Sequence, residues 1–234
     1  MTTLLVLGDS LAFHGPDGPC PADDPRLWPN LAAAALGGEA ELFAGFGWTA
    51  RDAYWALVGD PRLWPVLPRA SVLVLGVGGM DSLPSPLPTY LREGIRYLRS
   101  DAVRRRVRAA YLRAVPALAG VSRRVALPPG ETVRYLDRTL TAVRALRPDI
   151  PAVAALPSVH RAAGYGGVHH GREATARALR GWSASAGVPL LDLSEVVGDH
   201  VLSGQGNPDG IHWGWTGHEQ VGKAFAELIG PLLD

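Results

Sequence analysis

Hydrophobic positions along this chain fall into two alternating patterns. Short runs at residues 4–7, 39–44, 71–76, 152–156 and 188–192 are mostly apolar, the pattern of strands buried on both faces. Between them, residues 25–36, 49–58, 87–98, 131–146, 172–186 and 217–228 mix polar and apolar positions with helical spacing. Strand–helix alternation of this kind predicts an α/β fold: a three-layer α/β/α sandwich around a parallel five-stranded sheet, within a single domain covering residues 1–234. Parallel crossovers are right-handed, so the loops that follow the strands open on one edge, and ligands of such folds bind at that edge. Ser10 lies three residues past the first run, Gly47 three past the second, and Gly79, Met80 and Asp81 just past the third. Three strand-end loops are therefore expected to converge.

Two features interrupt the pattern. The hexapeptide Asp-Pro-Arg-Leu-Trp-Pro occurs at residues 24–29 and again at 60–65, and its flanks do not repeat. It reads as two helix starts, each with Asp as N-cap and Pro at the first helical position. The stretch from about 84 to 130 is longer than one crossover helix and reads as a helical insertion after the third strand. From Arg92 to Arg124 ten arginines face only Glu93 and Asp101, a local surplus of eight positive charges, with apolar residues interleaved. Such a cationic amphipathic segment is a solvated face, a lid over an acyl chain, or a dock for phosphates or a carboxylate.

Composition narrows the options. The net charge of +1 supplies no overall field toward nucleic acid or membrane. A single cysteine, Cys20, rules out an internal disulfide and suits a reducing compartment. No basic leader or long apolar stretch is visible, so a cytoplasmic protein without stable membrane insertion is expected.

The chemistry sits near the two ends of the chain. Gly8-Asp9-Ser10-Leu11 places a serine just past the first strand, and Asp209-Gly210-Ile211-His212 places a carboxylate three residues before an imidazole. A serine hydroxyl needs an adjacent base to become a nucleophile, and a carboxylate on the far imidazole nitrogen orients that base. Ser10, His212 and Asp209 are the candidates for those three roles.

Together these two blocks resemble the SGNH (GDSL) hydrolase superfamily over essentially the whole chain. The resemblance implies a flavodoxin-like sheet, Ser10 as nucleophile and Asp209 and His212 as its partners. It implies an oxyanion hole from the backbone N–H of Ser10, a glycine after the second strand and an asparagine after the third. Gly47 fits the glycine, with Gly45 as the alternative. The third block reads Gly78-Gly79-Met80-Asp81, and Met80 stands where the family has asparagine. A methionine side chain donates no hydrogen bond, so either backbone N–H groups of Gly78, Gly79 or Met80 substitute, or the site is built for something other than fast hydrolysis.

Longer motifs resemble one branch of that superfamily, the diglucosylglycerate octanoyltransferases of methylglucose lipopolysaccharide synthesis. These motifs are Gly-Gly-Met-Asp-Ser-Leu-Pro-Ser at 78–85, Leu-Pro-Ser-Val-His at 156–160, His-His-Gly-Arg at 169–172 and Ser-Gly-Gln-Gly-Asn-Pro-Asp-Gly-Ile-His-Trp at 203–213. The branch implies transfer of an octanoyl group from octanoyl-CoA to a hydroxyl of diglucosylglycerate or glucosylglycerate, with acyl-CoA as co-substrate and no further cofactor. The rival readings are an esterase or carbohydrate deacylase with the same triad and, suggested by Met80, a non-catalytic lipid- or sugar-binding module. Trp48 and Trp213 could stack on a sugar or fill the core. Asp9 and Asp81 could line the substrate site or brace their loops. His14 lies close enough to Ser10 in sequence to line the site. His160, His169 and His170 lack the fixed helical spacing of a zinc motif, so no metal is expected, and they stand as candidate contacts for the acceptor.

Overall fold

A computed structural model describes residues 1–233 and, within them, every side chain but those of Tyr90 and Glu93. The first half of the chain runs β1 (Thr2–Gly8), α1 (Trp28–Ala35), β2 (Gly38–Ala44), α2 (Ala50–Gly59), β3 (Val72–Gly76), α3 (Thr89–Gly94) and α4 (Asp101–Ala119). The second half runs α5 (Pro129–Leu146), β4 (Ala152–Leu156), α6 (Arg172–Ala186), β5 (Leu190–Asp192), α7 (Leu193–Leu202) and α8 (Trp215–Ile229). The five strands form one sheet in the order β2-β1-β3-β4-β5, and every pairing is parallel. The three-layer α/β/α expectation thus holds.

The period-two geometry of a strand divides the apolar runs between two cores. Leu5 and Leu7 of β1, with Leu73 and Leu75 of β3, point to one face and meet α2, α5 and α6 through Ala53, Leu136 and Leu179. Leu4 and Val6, with Val72 and Val74, point to the other and meet α1, α7 and α8 through Trp28, Val197 and Phe225. Trp28 and Phe225 stack with ring centroids 4.5 Å apart. An almost wholly apolar strand is required because both faces are covered. Strand β2, at the sheet edge, is only half-buried along its length, which explains its two glutamates.

Three local expectations change. The repeated hexapeptide does not start helices with Asp as N-cap. In both copies the Asp accepts the backbone N–H two residues on, Arg26 N to Asp24 Oδ1 and Arg62 N to Asp60 Oδ1 at 3.0 Å. The resulting Asx turn delivers a fully buried leucine, Leu27 or Leu63, and α1 begins only at Trp28. The single helix expected over 87–98 is α3 followed by a 3₁₀ turn, Ile95–Tyr97. Helix α7 follows β5 without a break, because Asp192 ends the strand and its side chain also caps the helix through Ser194 N–H. No turn residue separates the two, so nothing in the pattern announces that helix.

The segment between β3 and α5 is closed at its neck. Ser85 N–H donates to Arg124 O and Ala126 N–H to Leu83 O, zipping its ends together. Helix α4 buries only Val115 and Ala119, and Val103, Val107, Leu112 and Leu118 remain exposed. Among the described residues, no helix is long and apolar enough to cross a membrane.

Candidate active site

The strand order puts β1 between β2 and β3, so the loops leaving these three strands meet at their carboxyl ends. The β1 loop tightens at once into a 3₁₀ turn, Ser10–Ala12, capped by Asp9, whose Oδ1 accepts the Leu11 N–H at 2.9 Å. This turn presents Ser10 Oγ to His212 Nε2 at 2.8 Å. His212 Nδ1 meets Asp209 Oδ2 at 2.5 Å. The two sequence blocks, two hundred residues apart, are therefore one hydrogen-bonded relay from hydroxyl to imidazole to carboxylate.

The carboxylate does double duty: Asp209 Oδ1 accepts the backbone N–H groups of Ile211 at 2.9 Å and His212 at 3.0 Å. Partial burial raises the Asp209 pKa, but these bonds and the one from His212 outweigh it and hold the carboxyl below its ordinary range. Burial acts first on His212 as well and lowers its pKa below 6.5 against the opposing pull of Asp209. A neutral imidazole beside a charged carboxylate is the state that accepts a proton.

The loop carrying this pair is pinned from several sides. Asn207 Nδ2 donates to Pro16 O at 2.5 Å and Asn207 Oδ1 accepts the Asp209 N–H at 3.0 Å. Arg161 N–H, past β4, donates to Gly210 O at 2.8 Å. His200 Nε2 accepts the Gly214 N–H at 3.0 Å. His14 stacks on His212 with centroids 3.8 Å apart and planes 16° apart. Its carbonyl faces Nε2 of the buried His218 at 3.2 Å, and His218 Nδ1 accepts the Trp28 N–H. Sequence reasoning missed Asn207, His200 and His218. Asn207 lies inside a quoted motif, but its reach to Pro16 depends on chain segments meeting in space.

Gly47 sits at φ +68°, a left-handed conformation that suits glycine, and its N–H makes no hydrogen bond to another described residue. A Cβ on it would lie 3.8 Å from Met80 Cε, so Met80 packs against the loop that it was expected to complement. Gly45 is covered by the Trp48 indole. Gly79 precedes a 3₁₀ turn, Met80–Ser82.

The remaining candidates divide by burial. Asp9, Asp81 and Trp213 are at most 2% exposed, and the contacts the structure gives them are those of bracing and packing. Trp213 belongs to the core under β1. Asp81 accepts the N–H of Ala50, the first residue of α2, and the Thr132 hydroxyl of α5 at 2.9 Å, tying the second and third loops to a helix. His160 is buried too, with Nδ1 accepting the Ala162 N–H. His169 Nε2 meets Ser82 Oγ at 2.8 Å and so braces the Met80 turn. His170 is half-buried, and its Nε2 has no partner.

Among the described residues, the three potential metal ligands whose donor atoms lie within 4.8 Å of one another are His14, Asp209 and His212. Both ring nitrogens of His212 are already engaged, Nε2 with Ser10 and Nδ1 with Asp209, so the relay and an ion would compete for the same atoms.

Burial raises both Asp9 and Asp81 to about 7. A carboxyl with a raised folded pKa stabilises the fold below the unfolded value near 3.8 and loses that contribution as pH climbs through about 7. The buried His169 and His218, depressed to about 3 and about 4, act in the opposite sense. The stability of Asp81→Asn relative to the unsubstituted protein should therefore rise between pH 4 and pH 8 in denaturant titrations. A difference that is flat with pH would mean that Asp81 is charged throughout.

With this geometry in hand, the comparisons with known proteins are specific. The GDSL-like lipase/acylhydrolase family model matches residues 6–220. The diglucosylglycerate octanoyltransferase of Mycolicibacterium hassiacum is 56% identical over 233 residues, covering 98% of this chain and 97% of that protein. The protein of that name from Mycobacterium tuberculosis is 50% identical over 232 residues, covering 97% and 94%. Solved structures share the fold at low identity. An aryl esterase of M. smegmatis aligns over 100% of both chains with a TM-score of 0.64 at 16% identity. A carbohydrate acetylesterase family member from Sinorhizobium meliloti aligns over 100% of this chain and 99% of its own, with a TM-score of 0.60 at 15% identity. Matched over most of its length, with the family's serine and histidine blocks brought together, this chain belongs to the GDSL-like lipase/acylhydrolase family.

Proposed function

We propose that the protein is a cytoplasmic acyltransferase that moves an octanoyl group from octanoyl-CoA to a hydroxyl of diglucosylglycerate or glucosylglycerate through an acyl-serine. The observation that carries the serine chemistry is the 2.8 Å contact between Ser10 Oγ and His212 Nε2. Transfer is favoured over hydrolysis by the 56% and 50% identity, along the whole chain, to two proteins named octanoyltransferases.

Ser10 Oγ attacks the thioester carbonyl while its proton passes to His212 Nε2. The tetrahedral adduct collapses, the C–S bond breaks, and the leaving thiolate takes that proton from His212. The acceptor hydroxyl then gives its proton to His212 and attacks the acyl-serine. Ester formation releases Ser10, which recovers the proton. Each step uses the same imidazole, kept in the Nδ1–H tautomer by Asp209. The Gly47 amide, and backbone amides at Ser10, Gly79 and Met80, are the donors proposed for the oxyanion. These groups need no metal; the acyl-CoA enters as co-substrate. Transfer outruns hydrolysis only where the acceptor is held in place and water is kept out.

Intact-protein mass spectrometry after incubation with octanoyl-CoA tests the proposal. The expected result is an octanoyl adduct on Ser10 that discharges into octanoylated sugar when glucosylglycerate is added. Discharge to free octanoate at the same rate without the sugar would make the protein an esterase.

A further inference from the structure

We infer that the groove beside the Gly47 loop is the acceptor subsite, built for a glycoside that carries a carboxylate; this rests on the acyl-transfer reading above. The groove encloses about 720 Å³, within the range of small-molecule sites. It runs along the exposed edge of β2 and the flank of α2, and Ala44 and Trp48, at its head, border the loop that holds Gly47. Ala44 pairs with Gly8, two residues before Ser10, so the head of the groove lies at the carboxyl ends of the strands.

The lining suits a sugar. Phe43, Trp48 and Trp55 supply aromatic surface, and Trp55 is 52% exposed, an indole held in water with no core to fill. Apolar ring faces with polar edges are what the CH-lined face and hydroxyl rim of a pyranose can meet. The polar rim contains both signs. Asp52 Oδ2 is engaged by Thr49, and Asp60 is held by Arg62, so the two carboxylates stay in place as acceptors for hydroxyls.

To the phosphates of a coenzyme A thioester the groove offers, among the described residues, only Arg62, already paired with Asp60, and Arg96, beside Asp52. On α4 they would instead meet Arg105, Arg106, Arg108 and Arg113, for which no carboxylate partner exists among the described residues.

One groove residue comes from outside the sheet. Arg96, on the 3₁₀ turn after α3, reaches across to Asp52 at 3.9 Å with its side chain 57% exposed. That distance is beyond hydrogen-bond range, so its guanidinium keeps donors free for a second carboxylate, the pairing arginine makes best. The insertion thereby contributes a selector for an acidic aglycone.

The test is calorimetric titration of glucosylglycerate into the Ser10→Ala protein, alone and with Trp55→Ala or Arg96→Gln added. Both side chains are more than half exposed, so neither change removes core packing. Trp55→Ala should weaken binding by about threefold to tenfold. Arg96→Gln should weaken it by about tenfold to a hundredfold and erase the preference over glucosylglycerol, the same glycoside without the carboxylate. Octanoyl-CoA affinity should not change in either. Unchanged glucosylglycerate affinity in both variants, or an equal loss for octanoyl-CoA, would overturn the assignment. Thiol release from octanoyl-CoA by the unsubstituted protein reports separately on the underlying reading. A burst alongside unaffected groove variants sinks the groove alone, whereas no burst sinks the acyl-serine and the subsite with it.

Discussion

Ser10→Ala lowers octanoyl transfer by about 10⁵- to 10⁶-fold, the scale on which a serine nucleophile and its base fail together. Among the described residues no other hydroxyl is bonded to His212 Nε2, so none of them inherits the role. The fold should survive. Ser10 is only 5% exposed, but its hydroxyl bonds a ring whose side chain is still 11% exposed, so the orphaned nitrogen can turn to water. The stability change is expected to stay within about 1 kcal/mol. Steady-state thiol release and urea titration measure the two quantities side by side. Turnover within tenfold of the unsubstituted protein would remove Ser10 from the mechanism, and loss of folding would mean that the turn, more than the hydroxyl, was being tested.

The second large effect falls on Asp209→Asn, expected to slow transfer by about 10⁴-fold. An asparagine keeps the shape and can still accept the Ile211 and His212 amides through its oxygen, so the loop stays formed. Its NH₂ then faces His212 Nδ1 where a carboxylate oxygen stood at 2.5 Å. That imidazole nitrogen becomes an acceptor, the proton moves to Nε2, and Nε2 can no longer take the Ser10 proton. Because the defect is one of tautomer, glucosylglycerate and octanoyl-CoA binding should be unaffected while acylation slows. An equal loss in binding would place the cause in the loop instead.

These predictions also mark where sequence and tertiary structure divide the work. The two-sided apolar runs of β1, β3 and β4, alternating with helical stretches, determined a buried parallel sheet, because the intervening helices cover both faces of such strands. The spacing of Ser10 from the end of β1, and of Asp209 from His212, was a local property of the chain, so the relay and its chain order were legible before any contact was known.

What the chain pattern could not reveal depended on burial or on contacts between distant segments. Asp81 and Trp213 have the composition of ligand-binding residues, and only their enclosure assigns them to bracing and packing. The hexapeptide looked like a helix start because Asp caps helices and turns with the same oxygen, and which N–H it captures is decided by where the following leucine is buried. The stacking of His14 on His212 and the grip of Asn207 on Pro16 join segments about two hundred residues apart. Arg96 reads in sequence as one of ten arginines in a cationic stretch. Its place opposite Asp52, across a groove walled by the edge of β2, is set by the zipped neck of the insertion and by packing that no periodicity encodes.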